Sequence, residues 1–288
     1  MQALVYIANL LRFCMDYGNP MEIFAHRWLY PKGCLRLTDR ASGMNFECKA
    51  ASYQMFGEVW HDHDYDVPRI PIRTGDVVID IGANQGFYAC YAAKFGAQVL
   101  AFEPVPELFQ FLKRNVKENG LAKQVTTLCC GVADDPGEVE MVLSDYLGGG
   151  MNTIVAQFAR RHRLEVSGRI QVAVTNFPTI LAEHKLDRVR VCKLDCEGAE
   201  FMILEKIDAG IAKKVDAFVI EYHYRAGYGV QDLIQVLLNW GTHQVSYAED
   251  KFCERMIIRA VRTDLLTEDG ILPRLAQKQL VIVDKSFR

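Results

Sequence analysis

The chain has 288 residues, half of them hydrophobic and 24% charged, with a formal net charge of −3. This is the composition of a folded domain and excludes collagen-like, coiled-coil and low-complexity chains. No overall basic field points to nucleic acid.

The first run, "MQALVYIANLLRFCMDYG", is apolar. It has neither a basic leader segment nor a cleavage site, and Asn9 and Arg12 break it short of membrane-spanning length. Leu4, Ile7, Ala8 and Leu11 share one helical face, which predicts a helix packed on the domain or on a second copy of the chain. No other segment approaches transmembrane length. Nine scattered cysteines form no C-x-x-C pair, which favours reduced thiols in a cytoplasmic protein over a disulfide framework. Residues 1–70 show no regular strand–helix rhythm and read as an N-terminal extension capping a domain that spans 71–288.

That domain opens at "DVVIDIG" (76–82), a buried strand, followed by the helix "GFYACYAAKFG". "QVLAFEP" is a second strand. "VPELFQFLKRNVKENG" is a helix with Leu108, Phe111, Leu112 and Val116 on one face and Gly120 at its end. "QVTTLCCG" is a third strand. After "EVEMVLSD" (138–145), the Gly-rich "YLGGGMNTI" and the polar stretch "QFARRHRLEVSGR" (157–169), the alternation resumes. "RIQVAVT", "RVRVCKLD", "VDAFVIEYH", "HQVSYA" and "QLVIVD" read as strands and "FPTILAEH", "GAEFMILEKI" and "GVQDLIQVLLNWG" as helices. Strand–helix repetition predicts an α/β, doubly wound sheet.

The chemistry gathers at the carboxyl ends of the strands. In "DIGANQG" (80–86) a glycine-rich turn lets backbone approach a ligand. A dinucleotide fingerprint needs G-x-G-x-x-G, and Asn84 stands at its middle glycine, which argues against NAD. The turn suits a ligand lacking a pyrophosphate, such as S-adenosylmethionine. Asp80, Gly82, Ala83, Asn84, Gly86 and Phe87 are therefore candidate cofactor contacts. Glu103, 23 residues after Asp80 and closing the second strand, is placed to accept from both ribose hydroxyls. Gly131, Val132 and Asp134, near the end of the third strand, are candidates for the adenine edge. "KLDCEGAE" (193–200) places Asp195 and Glu197 on the same rim. Glu200 reads as a helix-start acid and Lys193 as a counter-charge, with Glu221 its expected partner.

These blocks, with "GVADDPGEVE", "GGGMNTI" and "FVIEYH", resemble the FkbM family of S-adenosylmethionine-dependent methyltransferases over about residues 55–225. The pattern K-x-D-x-E-G-x-E is met in full. The resemblance implies a class I methyltransferase, Rossmann-like fold with a seven-stranded sheet whose last strand is antiparallel. It also implies O-methylation of a hydroxyl on a sugar, glycolipid or polyketide-type product, hence a small-molecule or glycan acceptor. The alternatives are an N-methyltransferase acting on an amine and a noncatalytic cofactor-binding subunit.

An alkyl hydroxyl is a poor nucleophile, so Asp195, Glu197 and His223 are the candidate catalytic residues. Asp195 could instead hold the cofactor's amino group. Mg2+ on Asp195 and Glu197 is the less favoured reading, because no full ligand set is visible. Glu58, Tyr65, Asn152 and Glu197 are candidates for the acceptor side. "HDHDYD" (61–66) lacks a metal-ligand pattern and reads as a loop over the cofactor entrance. "ARRHR" (159–163) reads as a solvated face.

Overall fold

The computed structural model describes residues 14–29, 33–144, 151–161, 163, 165–223, 227–250, 255–266 and 279–283. The predicted N-terminal helix, with any oligomer contact through it, and most of the Gly-rich loop lie outside the described residues. Two short strands, β1 (Cys34–Thr38) and β2 (Asn45–Lys49), form an antiparallel hairpin. Then come β3 (Val77–Ile81), β4 (Gln98–Phe102) and β5 (Val125–Leu128), separated by helices Phe87–Lys94 and Pro106–Glu118. Strands β6 (Gly131–Val132), β7 (Gly137–Ser144) and β8 (Val166–Thr175) follow. The chain continues through β9 (Val189–Leu194), β10 (Val215–Tyr222), β11 (His243–Asp250), β12 (Arg255–Arg262) and β13 (Gln279–Val283).

The main sheet runs β13–β11–β12–β10–β9–β3–β4–β5. Strands β5, β4, β3, β9 and β10 are mutually parallel, and β12 lies antiparallel between β10 and β11. This is the doubly wound class I methyltransferase sheet of seven strands, with β13 added at one edge. Strand β12 is absent from the sequence-based expectation. Arg255, Arg259 and Arg262 mask its apolar alternation, and Arg259 is buried by donating to the carbonyls of Asp64 and Asp66.

A second difference concerns "EVEMVLSD" and "RIQVAVT". Strand β8 pairs with β7 on one side and with β6 on the other, in a separate three-stranded sheet. Most residues of β7 and β8 are exposed or half-buried, whereas a central parallel strand needs both faces covered. The predicted third strand therefore splits, with Cys129 exposed and Cys130 half-buried between its two parts.

Helix Pro106–Glu118 shows how sequence sets an element. Pro106 suits the first turn, Glu107 meets the positive helix end, and Leu108, Phe111, Leu112 and Val116 bury one face. Each face of the main sheet carries a core. Val78 and Val191 join an aromatic cluster with Phe46, Phe56, Trp60 and Phe87, while Ile79, Ile81, Cys192 and Leu194 face Phe177, Phe201 and Phe218. The period of two therefore sends Asp80 and Lys193 to the aromatic side, opposite each other in register.

Candidate active site

Strand β3 lies between β4, the next strand in sequence, and β9, so the winding direction reverses there. In open α/β sheets ligands bind outside the carboxyl ends at such a point. A cleft of roughly 600 Å³, part of it open to solvent, occupies that place.

The turn after β3 forms one wall. Gly82 has φ +77°, and a Cβ on it would lie 1.8 Å from the Asp195 carbonyl oxygen, so only glycine lets β3 and β9 end this close together. Asn84, at φ +51°, donates its backbone N–H to Glu103 Oε2 at 2.8 Å, and Val105 N–H donates to Glu103 Oε1 at 2.8 Å. The Glu103 carboxylate thus stands fixed at the end of β4, 4% exposed and lining the cleft. Burial pushes it up to about 7, against the pull of those two amides.

The expected cofactor residues divide accordingly. Gly82, Asn84, Glu103, Gly131, Val132 and Asp195 line the cleft. Asp80 does not. Its side chain is fully buried on the opposite face, where burial pushes its carboxyl up and Lys193 Nζ stands 3.2 Å away. Gly86 packs under Leu112 and Phe87 joins the aromatic core, so both hold the turn from behind. Ala83 donates its N–H to Phe102 O and lies off the cleft wall. Asp134 is half-buried beyond the wall, its carbonyl accepting from Asn176 Nδ2. Sequence reasoning missed Met55, Leu108, Met141 and Ile154, which supply the apolar lining. Only Leu108 carried a signal, and it read as core.

The opposite wall is "KLDCEGAE". Lys193 Nζ pairs with Asp80 and, at 3.3 Å, with Asp195 Oδ2, and donates to Gly82 O at 3.1 Å. Its closest carboxylates are thus Asp80 and Asp195 rather than Glu221. Burial alone would lower Lys193, but those two acids hold it above the ordinary lysine value. Tyr65 donates to Glu221 Oε2 at 2.5 Å and lies 3.1 Å from Asp195 Oδ2, so "HDHDYD" enters the site through its tyrosine. Its neighbours His63 and Asp66 meet Tyr91 instead, and Glu58 lines no part of the cleft.

Glu200 has a larger part than a helix-start acid. It is 1% exposed and accepts from Cys196 N–H at 2.9 Å and Gly198 N–H at 3.0 Å. Those bonds shape the turn in which Glu197 takes φ +54°, a conformation that costs a non-glycine residue about 1 kcal/mol. Thr153 Oγ1 adds a hydrogen bond to Glu197 O at 2.6 Å, and the neighbouring Asn152 lines the cleft while its Oδ1 accepts from Ser144 N–H.

Glu200 Oε1 also receives His223 Nδ1 at 2.9 Å, which turns Nε2 toward Glu197 Oε2 at 3.5 Å and Glu221 Oε1 at 3.9 Å. Burial and the neighbouring acids push Glu197 up, opposed by His223. Burial would lower His223, but Glu197, Glu200 and Glu221 hold it well above the ordinary imidazole value. Asp195, Glu197 and His223 are thus brought together as expected, with Glu197 at the cleft and His223 behind it.

All eight described cysteines are free thiols. Among the described residues no helix is long and apolar enough to cross a membrane.

Comparison with known proteins bears on this geometry. Methyltransferase sdnD of Sordaria araneosa is 26% identical over 208 residues, covering 64% of this chain and 79% of that protein. The 31-O-demethyl-FK506 methyltransferase FkbM of Streptomyces tacrolimicus is 24% identical over 213 residues, covering 66% and 81%. Among solved structures, the methyltransferase FkbM of Methylobacillus flagellatus KT superposes with a TM-score of 0.45 at 16% identity, over 68% of this chain and 49% of that one. The family model of the methyltransferase FkbM domain matches residues 80–245, from the strand that begins the cleft to the strand beyond its far wall, and the chain belongs to that family.

Proposed function

We propose that this chain transfers a methyl group from S-adenosylmethionine to a hydroxyl oxygen of a small-molecule or glycan acceptor. One observation carries the cofactor assignment. The described residues lining the cleft include Glu103, Asp195 and Glu197 and no lysine or arginine. Carboxylates on the wall can pair with a sulfonium and an ammonium, and no wall lysine or arginine is there to meet a pyrophosphate, which favours this cofactor over a dinucleotide. On this reading Glu103 accepts from the ribose hydroxyls, Gly82 and Asn84 bring backbone against the amino-acid end, and Gly131 and Val132 flank the adenine.

Two observations support transfer to oxygen: the acids on the far wall and a relative named for a 31-O-demethylated substrate. The acceptor O–H breaks, its electron pair stays on oxygen and attacks the methyl carbon, and the C–S pair returns to sulfur. On this reading Asp195 and Glu197, with His223 behind Glu197, are the groups that take that proton. Positioning of the two reactants supplies most of the acceleration. Asn152 and Tyr65 complete the acceptor side on this reading.

Calorimetry tests the assignment. S-adenosylmethionine and its demethylated product are expected to bind and NAD is not; NAD binding in their place would sink the reading. Glu103→Ala should weaken the cofactor about a hundredfold or more, because two charge-assisted hydrogen bonds are lost at about 1.5–3 kcal/mol each.

The same carboxylate sets a pH dependence. Ribose hydroxyls donate, so they bind the ionised form of Glu103. Below about 7 the free protein holds Glu103 protonated, and binding must expel that proton. Affinity is therefore expected to be flat above about pH 7 and to fall below it by up to about tenfold per pH unit. Calorimetry from about pH 5.5 to about pH 8.5 should trace this limb, and Glu103→Gln should flatten it.

A further inference from the structure

We propose that Asp195, Glu197 and His223 form a binding site for a divalent transition-metal ion of the Mn2+ or Zn2+ kind, on the acceptor side of the cleft. One oxygen from each carboxylate and one imidazole nitrogen lie within 4.8 Å of one another, close enough for a single ion to be reached by all three after small side-chain rotations. The donors are mixed, two carboxylates and an imidazole. That set suits Mn2+ or Zn2+ better than Mg2+, which prefers oxygen and keeps its waters.

Two further observations point to a ligand at this place. The first is Glu197 Oε2. This oxygen is buried and, among the described residues, it accepts no hydrogen bond, His223 Nε2 at 3.5 Å being its one cationic neighbour in an ion pair. A buried carboxylate oxygen left without a donor is costly, and the turn that holds it is itself built at positive φ. The second is the orientation of His223. Its Nδ1 is held by the Glu200 carboxylate at 2.9 Å, which turns Nε2 toward Glu197, where an ion would take the place of the Nε2 proton. A carboxylate behind the distal nitrogen is the usual support of a metal-bound histidine, because it fixes the ring and strengthens the donor.

The place of the ion in the reaction rests on the methyltransferase reading; its binding does not. Held by Asp195, Glu197 and His223, the ion would supply a positive charge that lowers the pKa of an acceptor hydroxyl beside it.

The test is a titration of chelator-treated full-length protein with Mn2+, without S-adenosylmethionine, reading free Mn2+ by electron paramagnetic resonance. One bound ion is expected. Glu197→Gln and His223→Gln should each weaken it about a hundredfold, while Glu103→Gln should leave it unchanged. Absence of saturable binding to the unmodified protein, or undiminished binding by both ligand variants, overturns the inference. Calorimetry with S-adenosylmethionine on the unmodified protein and on the Glu197→Gln and His223→Gln variants confirms that these are folded and separates the two readings, while thermal unfolding confirms the fold of Glu103→Gln. Cofactor binding without Mn2+ binding removes the metal and leaves the methyltransferase. Mn2+ binding without cofactor binding does the reverse.

Discussion

Gly82→Ala is expected to abolish S-adenosylmethionine binding and to lower the melting temperature by roughly 10 °C or more, a loss of several kcal/mol in a domain of this size. Two penalties combine. The residue sits at φ +77°, and its new Cβ would stand 1.8 Å from a backbone oxygen of the neighbouring strand. The Asp195 carbonyl cannot turn away as a side chain would. Asp195 N–H donates to Ile81 O at 3.1 Å, and Gly82 N–H and Ala83 N–H both donate to Phe102 O. To make room, β3 and β9 must part at their carboxyl ends, where the cleft lies. Gly120→Ala isolates the first penalty. Gly120 has φ +71° with nothing within 4 Å of a new Cβ, so its cost is conformational, about 1 kcal/mol, or a few degrees. Thermal unfolding and calorimetry on both variants decide the matter. Equal shifts would mean that the Asp195 contact does not define the turn.

That turn was legible in the sequence because glycines placed between a strand and a helix mark backbone that must bend sharply or be approached closely. Glu103 was legible for a similar reason: an acid closing an apolar strand needs a use. The supports behind them were not. Gln85 lies in the same "DIGANQG" segment and is fully buried, yet it reads as an ordinary polar loop residue. Its Oε1 accepts from Lys49 N–H at 2.8 Å, and its backbone oxygen accepts from Asn115 Nδ2 at 2.8 Å. Asn115 in turn accepts from Glu47 N–H, so β2, which among the described strands pairs with β1 alone, has part of its free edge satisfied by side chains. Local spacing cannot reveal such a partnership, because Asn115 and Glu47 are 68 residues apart. Asp80 misled for a related reason. It stands where a cofactor acid is expected, but the period of two in β3 turns it to the other face, and only the register with Lys193 shows why a carboxylate is tolerated there.

Glu197 and Glu200, three residues apart in one motif, are expected to fail in opposite ways. Glu197→Gln should reduce kcat about 10²- to 10⁴-fold, the usual range for losing a group that handles the acceptor proton. Its effect on the fold should be small, because the Glu197 side chain holds no turn together and Oε2 carries no hydrogen bond. S-adenosylmethionine affinity should stay within about threefold, since Glu103 and the Gly82 turn are untouched and an effect confined to kcat marks an interaction made in the transition state. Glu200→Ala, by contrast, removes the acceptor for Cys196 N–H, Gly198 N–H and His223 Nδ1 from a residue that is 1% exposed. Two backbone donors and an imidazole would be left buried, at about 1–3 kcal/mol each, so melting temperature falls first and activity follows it. Glu200→Gln keeps one acceptor oxygen and should recover part of that stability. Steady-state kinetics alongside thermal unfolding reads both residues together. Full turnover in Glu197→Gln, or an unchanged melting temperature in Glu200→Ala, would reverse the assignment of the two acids.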